Sequence, residues 1–165
     1  MTGRKVTFTA STETRAAWRT RMQDMHRTAP VDDMIGNVMG DGTVFAGVSP
    51  DTGKAMFVMP ADELCIRFCD AAGYRVQLNA EKKHGHNDWR LPSLEELRAL
   101  YDARDKGALS SAFNKTLHAV RGWYWSDKLR VGAEGRVLHW QKSFLDGEEK
   151  YLDGNRLAMA CFIRS

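Results

Sequence analysis

Apolar residues follow different rhythms in different parts of the chain. Between residues 11 and 27, Trp18, Met22 and Met25 repeat at i, i+4, i+7, with Arg15, Arg19, Arg21 and Arg27 on the other faces, and Pro30 closes the segment. That spacing predicts an amphipathic helix with a narrow apolar stripe, to be buried against its own domain or against a partner chain. From residue 43 the rhythm shortens. Thr43 to Val48 and Lys54 to Met59 are strand-like runs, and Ser49-Pro50-Asp51-Thr52-Gly53 supplies the residues of a tight turn. A hairpin is expected there.

A second helix is predicted to open at Pro60-Ala61-Asp62-Glu63, with proline in the first turn and acids at the positive end of the dipole. Leu64, Phe68, Ala71, Ala72 and Leu78 would form its buried stripe, and Cys65 and Cys69 would share one face at i, i+4. The polar run from Lys82 to Asn87 ends it. Ser93 and Glu96 then stand as S-x-x-E, a capping box, ahead of Leu94, Leu97, Leu100 and Tyr101 along one helix face. Fraying is expected near Lys106-Gly107.

Beyond residue 120, short aromatic and branched runs alternate with turns. Gly122 to Ser126, Arg136 to Gln141 and the near-continuous apolar run Leu157 to Ile163 read as strands, the last as a central one. Strand parity sets Trp123 and Trp125 on one face and Tyr124 on the other, so one side would be core and the other exposed. The whole order predicts an α+β fold with an antiparallel sheet. Residues 1–35 are expected to form a helical arm and 36–165 the main domain.

Composition narrows the function classes. Hydrophobic residues make up 43% and charged residues 27%, an ordinary globular mixture. Lys+Arg 24 against Asp+Glu 21 gives +3, too small an excess to argue for nucleic acid. Mean hydropathy is −0.46 and charges interrupt every apolar run, so no membrane insertion is expected. No apolar stretch follows the basic residues of the N-terminus. A signal peptide is therefore not expected, and the localisation read from this is cytoplasmic or phage-borne. Three cysteines are taken as reduced thiols.

The candidate chemistry lies late in the chain. His84-Gly85-His86 with Asp88 would need further ligands to hold a metal, so no metal and no cofactor are expected. Stacking aromatics and cations that pair with sulfate, carboxylate or phosphate are plentiful after residue 120. The candidate ligand-binding set is Trp123, Trp125, Lys128, Arg130, Arg136, Trp140, Lys142, Tyr151 and Asn155, with Lys150 beside them.

Asp88-Trp89-Arg90-Leu91-Pro92-Ser93, followed by Glu96-Leu97, resembles the D-W-R-L-P-[ST]-x-x-E-L signature of the Legionella collagen-like protein C-terminal domain family. Trp123-Tyr124-Trp125-Ser126 is similar to that family's Y-W-S-S strand. Met159 to Arg164 resembles its closing R-C-V-R, and Asp41 to Lys54 resembles a leader hairpin of some members. The resemblance covers roughly residues 36–165. It implies a C-type-lectin-like fold: two helices on a small antiparallel sheet whose first and last strands pair, with ligand-binding loops between the late strands. It also implies binding of anionic, sulfated glycans.

Formylglycine-generating enzymes share the same helix start, but their chemistry needs a reactive thiol. The C-terminal half has only Cys161, inside an apolar run. No enzymatic activity is expected. Calcium-bridged lectins carry Glu-Pro-Asn or Gln-Pro-Asp and then Trp-Asn-Asp. No proline follows Pro92, so recognition is expected to be calcium-independent. The alternatives are a protein- or receptor-binding module of a phage or secretion assembly, and an enzyme related to the formylglycine-generating fold. A homo-oligomer through the N-terminal helix is expected.

Overall fold

The computed structural model describes residues 31–60, 64–113 and 122–165. The helix expected at 11–27 lies outside the described residues. The chain divides into two units, residues 1–33 and 34–165. A single helical turn, α1 (Val31–Met34), opens the described residues.

The second unit is mixed α/β with two sheets. The first sheet opens with the expected hairpin, β1 (Val44–Val48) and β2 (Ala55–Val58), paired antiparallel. Ser49 N–H to Lys54 O at 2.7 Å and Gly53 N–H to Ser49 O at 2.9 Å close its turn. Ahead of the hairpin, Gly36 and the later Gly107 approach so closely that a Cβ on Gly36 would sit 2.4 Å from Lys106 O. Both glycines have positive φ, a conformation costly for other residues.

After the hairpin the structure departs from the expected helix start. Cys65–Arg67 is a strand, β3, and the helix α2 runs only from Phe68 to Ala80. Residues 61–63 are not among those described. The reason for the late start is tertiary pairing: β3 runs antiparallel to Leu157–Met159, and Ala160 N–H reaches Leu64 O at 2.8 Å. Cys65 and Cys69 therefore sit on different elements, not on one helix face. Ala71 and Leu78 are buried as expected, Leu64 and Phe68 half-buried, and Ala72 is exposed.

The signature segment folds as read. Helix α3 (Leu94–Ala103) is capped by Ser93, whose Oγ accepts from Glu96 N–H while Glu96 returns a bond to Ser93 N–H. Leu94, Leu97 and Leu100 are buried and Tyr101 is half-buried. A short helix, α4 (Leu109–Ala112), follows.

The second sheet has five strands in the order β3-β7-β4-β5-β6. They are β4 (Trp123–Val131), β5 (Val137–Ser143), β6 (Glu149–Asp153) and β7 (Leu157–Met159), together with β3. The pairings are antiparallel except for one parallel contact, Tyr124 with Met159. Strand β6 has no counterpart in the sequence reading. The apolar run at 157–163 is not one central strand. It leaves the five-stranded sheet after Met159 and enters the other as β8 (Ile163–Arg164), which pairs with β2. The last strand thus pairs with the second strand, not the first. Lining both sheets explains why the run is continuously apolar.

One core fills the space between the sheets and α3, with Met56, Leu97, Leu100, Leu109, Tyr124, Phe144 and Ile163 at its centre. A second, smaller core gathers Ala71, Leu78, Trp89, Ala160 and Phe162 beneath α2.

Candidate functional site

The signature residues build a clamp. Glu96 is wholly buried, and its carboxylate receives Arg90 Nη1 at 2.6 Å and Arg90 Nη2 at 2.7 Å. Ser49 Oγ–H donates at 2.6 Å and Ser93 N–H at 2.9 Å. Burial alone would raise the Glu96 carboxyl. The Arg90 guanidinium, with Ser49 and Ser93, outweighs it and holds the group at about 2. Trp89 is buried, donating Nε1–H to Lys83 O at 2.9 Å and exchanging two bonds with the Asn79 side chain. These residues tie the hairpin, α2 and α3 together and leave little for a ligand.

The two loop histidines also have structural partners. His84 Nδ1 lies 2.9 Å from Asp41 O, and His86 Nε2 lies 2.7 Å from Asp41 Oδ2. Burial opposes ionisation of Asp41, but Thr43, His86 and Arg164 hold its carboxyl far below the ordinary range.

Register assigns the candidate residues to the two faces of the second sheet. Trp123 is opposite Ser143, Trp125 opposite Gln141 and Lys150 opposite Gln141, so these share one face. Tyr124 is opposite Lys142 and Trp140 opposite Tyr151, on the other.

Two of the candidates turn out to be interior. Trp125 has 0% exposure. Its Nε1–H donates to Ile66 O at 3.0 Å, and its ring meets Phe68 edge-on at 5.7 Å. Tyr124, on the opposite face, is buried against Phe113 and Phe144. The either/or set by strand parity fails because β4 is covered on both sides. Lys142 is only 7% exposed. Its Nζ donates to Gly147 O at 2.9 Å and to Glu149 Oε1 at 3.1 Å, above the Tyr101 ring. Glu149 is held at about 2, chiefly by Arg98 and then by Lys142. This lysine is spent on its own fold and has no free charge for a ligand.

The remaining candidates fall into two groups. On one face, Arg130 lies 4.5 Å above the Tyr151 ring, and Tyr151 packs on Trp140 with centroids 3.8 Å apart. On the other face, Trp123 and Asn155 border an open cleft of about 550 Å³. Lys150 belongs to the same cleft, its Nζ 3.4 Å from the centre of the Trp123 ring. Lys128 and Arg136 are exposed on the β4–β5 hairpin and border neither group.

The cleft adds four residues that the sequence reading left out of the site, Gln141, Leu152, Arg156 and Leu157. Arg156 follows the Asp153-Gly154-Asn155 turn, where Asn155 N–H donates to Asp153 Oδ1 at 2.9 Å. Gln141 is 0% exposed, and neither its Oε1 nor its Nε2 has a hydrogen-bond partner among the described residues. The sequence does not mark it: on β5 it shares its parity with His139 and Ser143, where a polar residue is ordinary.

The model of the Lcl C-terminal domain family matches residues 5–164. The chain belongs to that family. The match reaches well before residue 36, where the resemblance read from the sequence begins, and so includes most of the segment read as a separate arm. Among curated proteins none matches the chain. Within the Lcl match, the Trp89–Glu96 clamp and the Trp123–Arg156 cleft are separate features, one building the fold and one open at its surface.

Proposed function

We propose that this Lcl-family domain is a non-enzymatic recognition module, C-type-lectin-like in fold, that binds an anionic glycan without calcium. The observation that carries the reading is the cleft on the five-stranded sheet. It combines two cations, Lys150 and Arg156, with an aromatic ring, Trp123, and two amides, Gln141 and Asn155. Cations pair with sulfate or carboxylate, an indole face packs on sugar C–H groups, and amides serve hydroxyls. The revised binding set is Trp123, Gln141, Lys150, Asn155 and Arg156. Self-association through residues 11–27 remains part of the proposal.

Binding is favoured over thiol chemistry at Cys161, the one cysteine of the C-terminal half. Cys161 is buried, and burial pushes it up to about 12, which leaves no thiolate to react at neutral pH. A second reading, a protein or receptor partner in a phage or secretion assembly, draws on the far end of the same sheet face. Leu129, Val131 and Val137 are exposed on one face of the β4–β5 hairpin. A glycan array of sulfated, carboxylated and neutral glycans, run with and without calcium at two salt concentrations, separates the two. Salt-sensitive, calcium-independent hits confined to anionic glycans support glycan recognition. An array without such hits removes it, and recovery of a protein partner by pull-down then favours the hairpin.

A further inference from the structure

A second cavity, of about 210 Å³, lies where α2 meets the signature segment and β4, and it shares no residue with the Trp123–Arg156 cleft. One wall is a single face of α2: Phe68, Ala71, Ala72 and Arg75 recur at i, i+3, i+4, i+7. The two alanines leave open space between a ring and a guanidinium. Arg90 and Leu91 of the signature segment and Asp127 of β4 complete the lining. An apolar concavity with a few charged groups is the usual make-up of a small-molecule site.

The charges are not equivalent. Both Nη atoms of Arg90 are committed to Glu96, so that pair meets the cavity as a neutral unit. Arg75 and Asp127 remain. Neither side chain has a hydrogen bond or ion pair among the described residues, and they do not pair with each other. Asp127 is fixed by its backbone, whose N–H donates to Pro92 O at 2.8 Å. Partial burial pushes its carboxyl upward; Arg90 opposes this, while Glu96 and Asp51 add to it. The carboxylate therefore lacks a cationic hydrogen-bond donor, and the guanidinium lacks an anion.

We infer that this cavity binds a small zwitterion with an apolar body, the chemistry of an apolar amino acid, with its carboxylate on Arg75, its ammonium on Asp127 and its side chain against Phe68 and Leu91. A guanidinium grips a carboxylate through paired N–H bonds, and an ammonium offers a carboxylate three donors. A cavity of about 150 Å³ already admits benzene, so an aromatic side chain fits. A simple anion would meet the Asp127 charge, and a simple amine would leave Arg75 without a partner. The site is thus distinct in chemistry from the anionic-glycan cleft.

L-Phenylalanine, phenethylamine and 3-phenylpropanoate share a ring and stem and differ in the charges they carry. Each is titrated calorimetrically into the full chain, into Arg75→Met and into Asp127→Asn. The unaltered chain should bind phenylalanine about tenfold or more tighter than either analogue, the scale of one charge-assisted hydrogen bond. In Arg75→Met, phenylalanine should bind no better than phenethylamine. In Asp127→Asn, it should bind no better than 3-phenylpropanoate. Both positions are exposed, so the melting temperatures should be kept. Heparin binding, which rests on Lys150 and Arg156, should be unchanged in both variants. Equal binding of the three compounds, a preference that survives in either variant, or no binding of phenylalanine at millimolar concentration overturns the inference and leaves the glycan reading standing.

Discussion

Arg90 and Glu96 face each other through two hydrogen bonds, at 2.6 and 2.7 Å, with the carboxylate wholly enclosed. Their partners reach the hairpin through Ser49 and the helix start through Ser93. The pair therefore joins sequence-distant parts of the domain, and the D-W-R-L-P-S-x-x-E segment is a folding device before it is anything else.

Removing Arg90 leaves the buried Glu96 carboxylate uncompensated, a loss of about 3 kcal/mol or more, whereas Arg90, 32% exposed, is partly solvated when Glu96 is replaced and the loss is smaller. Glu96→Gln and Arg90→Met should each lower the denaturation midpoint accordingly. Ser49→Ala, which removes one donor to Glu96 and the acceptor of two long turn bonds from Asp51 and Thr52 N–H, should cost about 1 to 2 kcal/mol. Denaturant titration of the three variants checks the ranking.

The same geometry sets an acid limit. The folded Glu96 value, about 2, lies below its ordinary 4.5. A depressed carboxylate contributes its stability fully above the ordinary value and loses it as pH falls toward the folded one. Glu149 shifts in the same direction to about 2. Stability should therefore fall between roughly pH 4.5 and 2. In Glu96→Gln this acid dependence should be shallower, as read by thermal melts across that range.

The two tryptophans of β4 should separate cleanly. Trp125→Ala empties the core and should cost about 3 to 5 kcal/mol. Trp123→Ala, at the half-buried cleft wall, should cost much less and act on ligand binding instead. Lys142 belongs with Trp125: Lys142→Ala should destabilise by breaking its bonds to Glu149 and Gly147. Circular dichroism melts compared with binding isotherms distinguish the two classes.

What the sequence made legible was local. Ser93 and Glu96 were readable because a capping box spans only four residues, and the hairpin because its turn residues are contiguous. The start of α2 was not, because Pro60-Ala61-Asp62-Glu63 is a good helix opening and only pairing with residues nearly a hundred positions later holds 65–67 extended. The break at Ala160–Phe162 was hidden for the same reason: an apolar run looks the same whether it lies in one sheet or crosses two. Lys142 read as a surface cation because its partners, Glu149 and Tyr101, are brought in by tertiary structure. Gln141 carried no signal, since nothing in the sequence says that an amide in a strand will lack a partner.

Gln141→Leu offers a check that separates function from folding. Replacing an enclosed amide that makes no bond with an apolar side chain of similar size should leave stability unchanged or raise it by about 1 kcal/mol. A large loss would mean that the amide is structurally engaged. Differential scanning calorimetry decides it.

The central claim is that the Trp123–Arg156 cleft binds a polyanionic glycan through Lys150 and Arg156. It is tested most directly by heparin binding to the unaltered chain and to Lys150→Ala/Arg156→Ala, measured calorimetrically at two salt concentrations with and without calcium. The account predicts calcium-independent binding that weakens with salt, and a loss of about tenfold or more in the double variant with its melting temperature preserved. Undiminished affinity in a folded double variant, or no heparin binding by the unaltered chain, would contradict it.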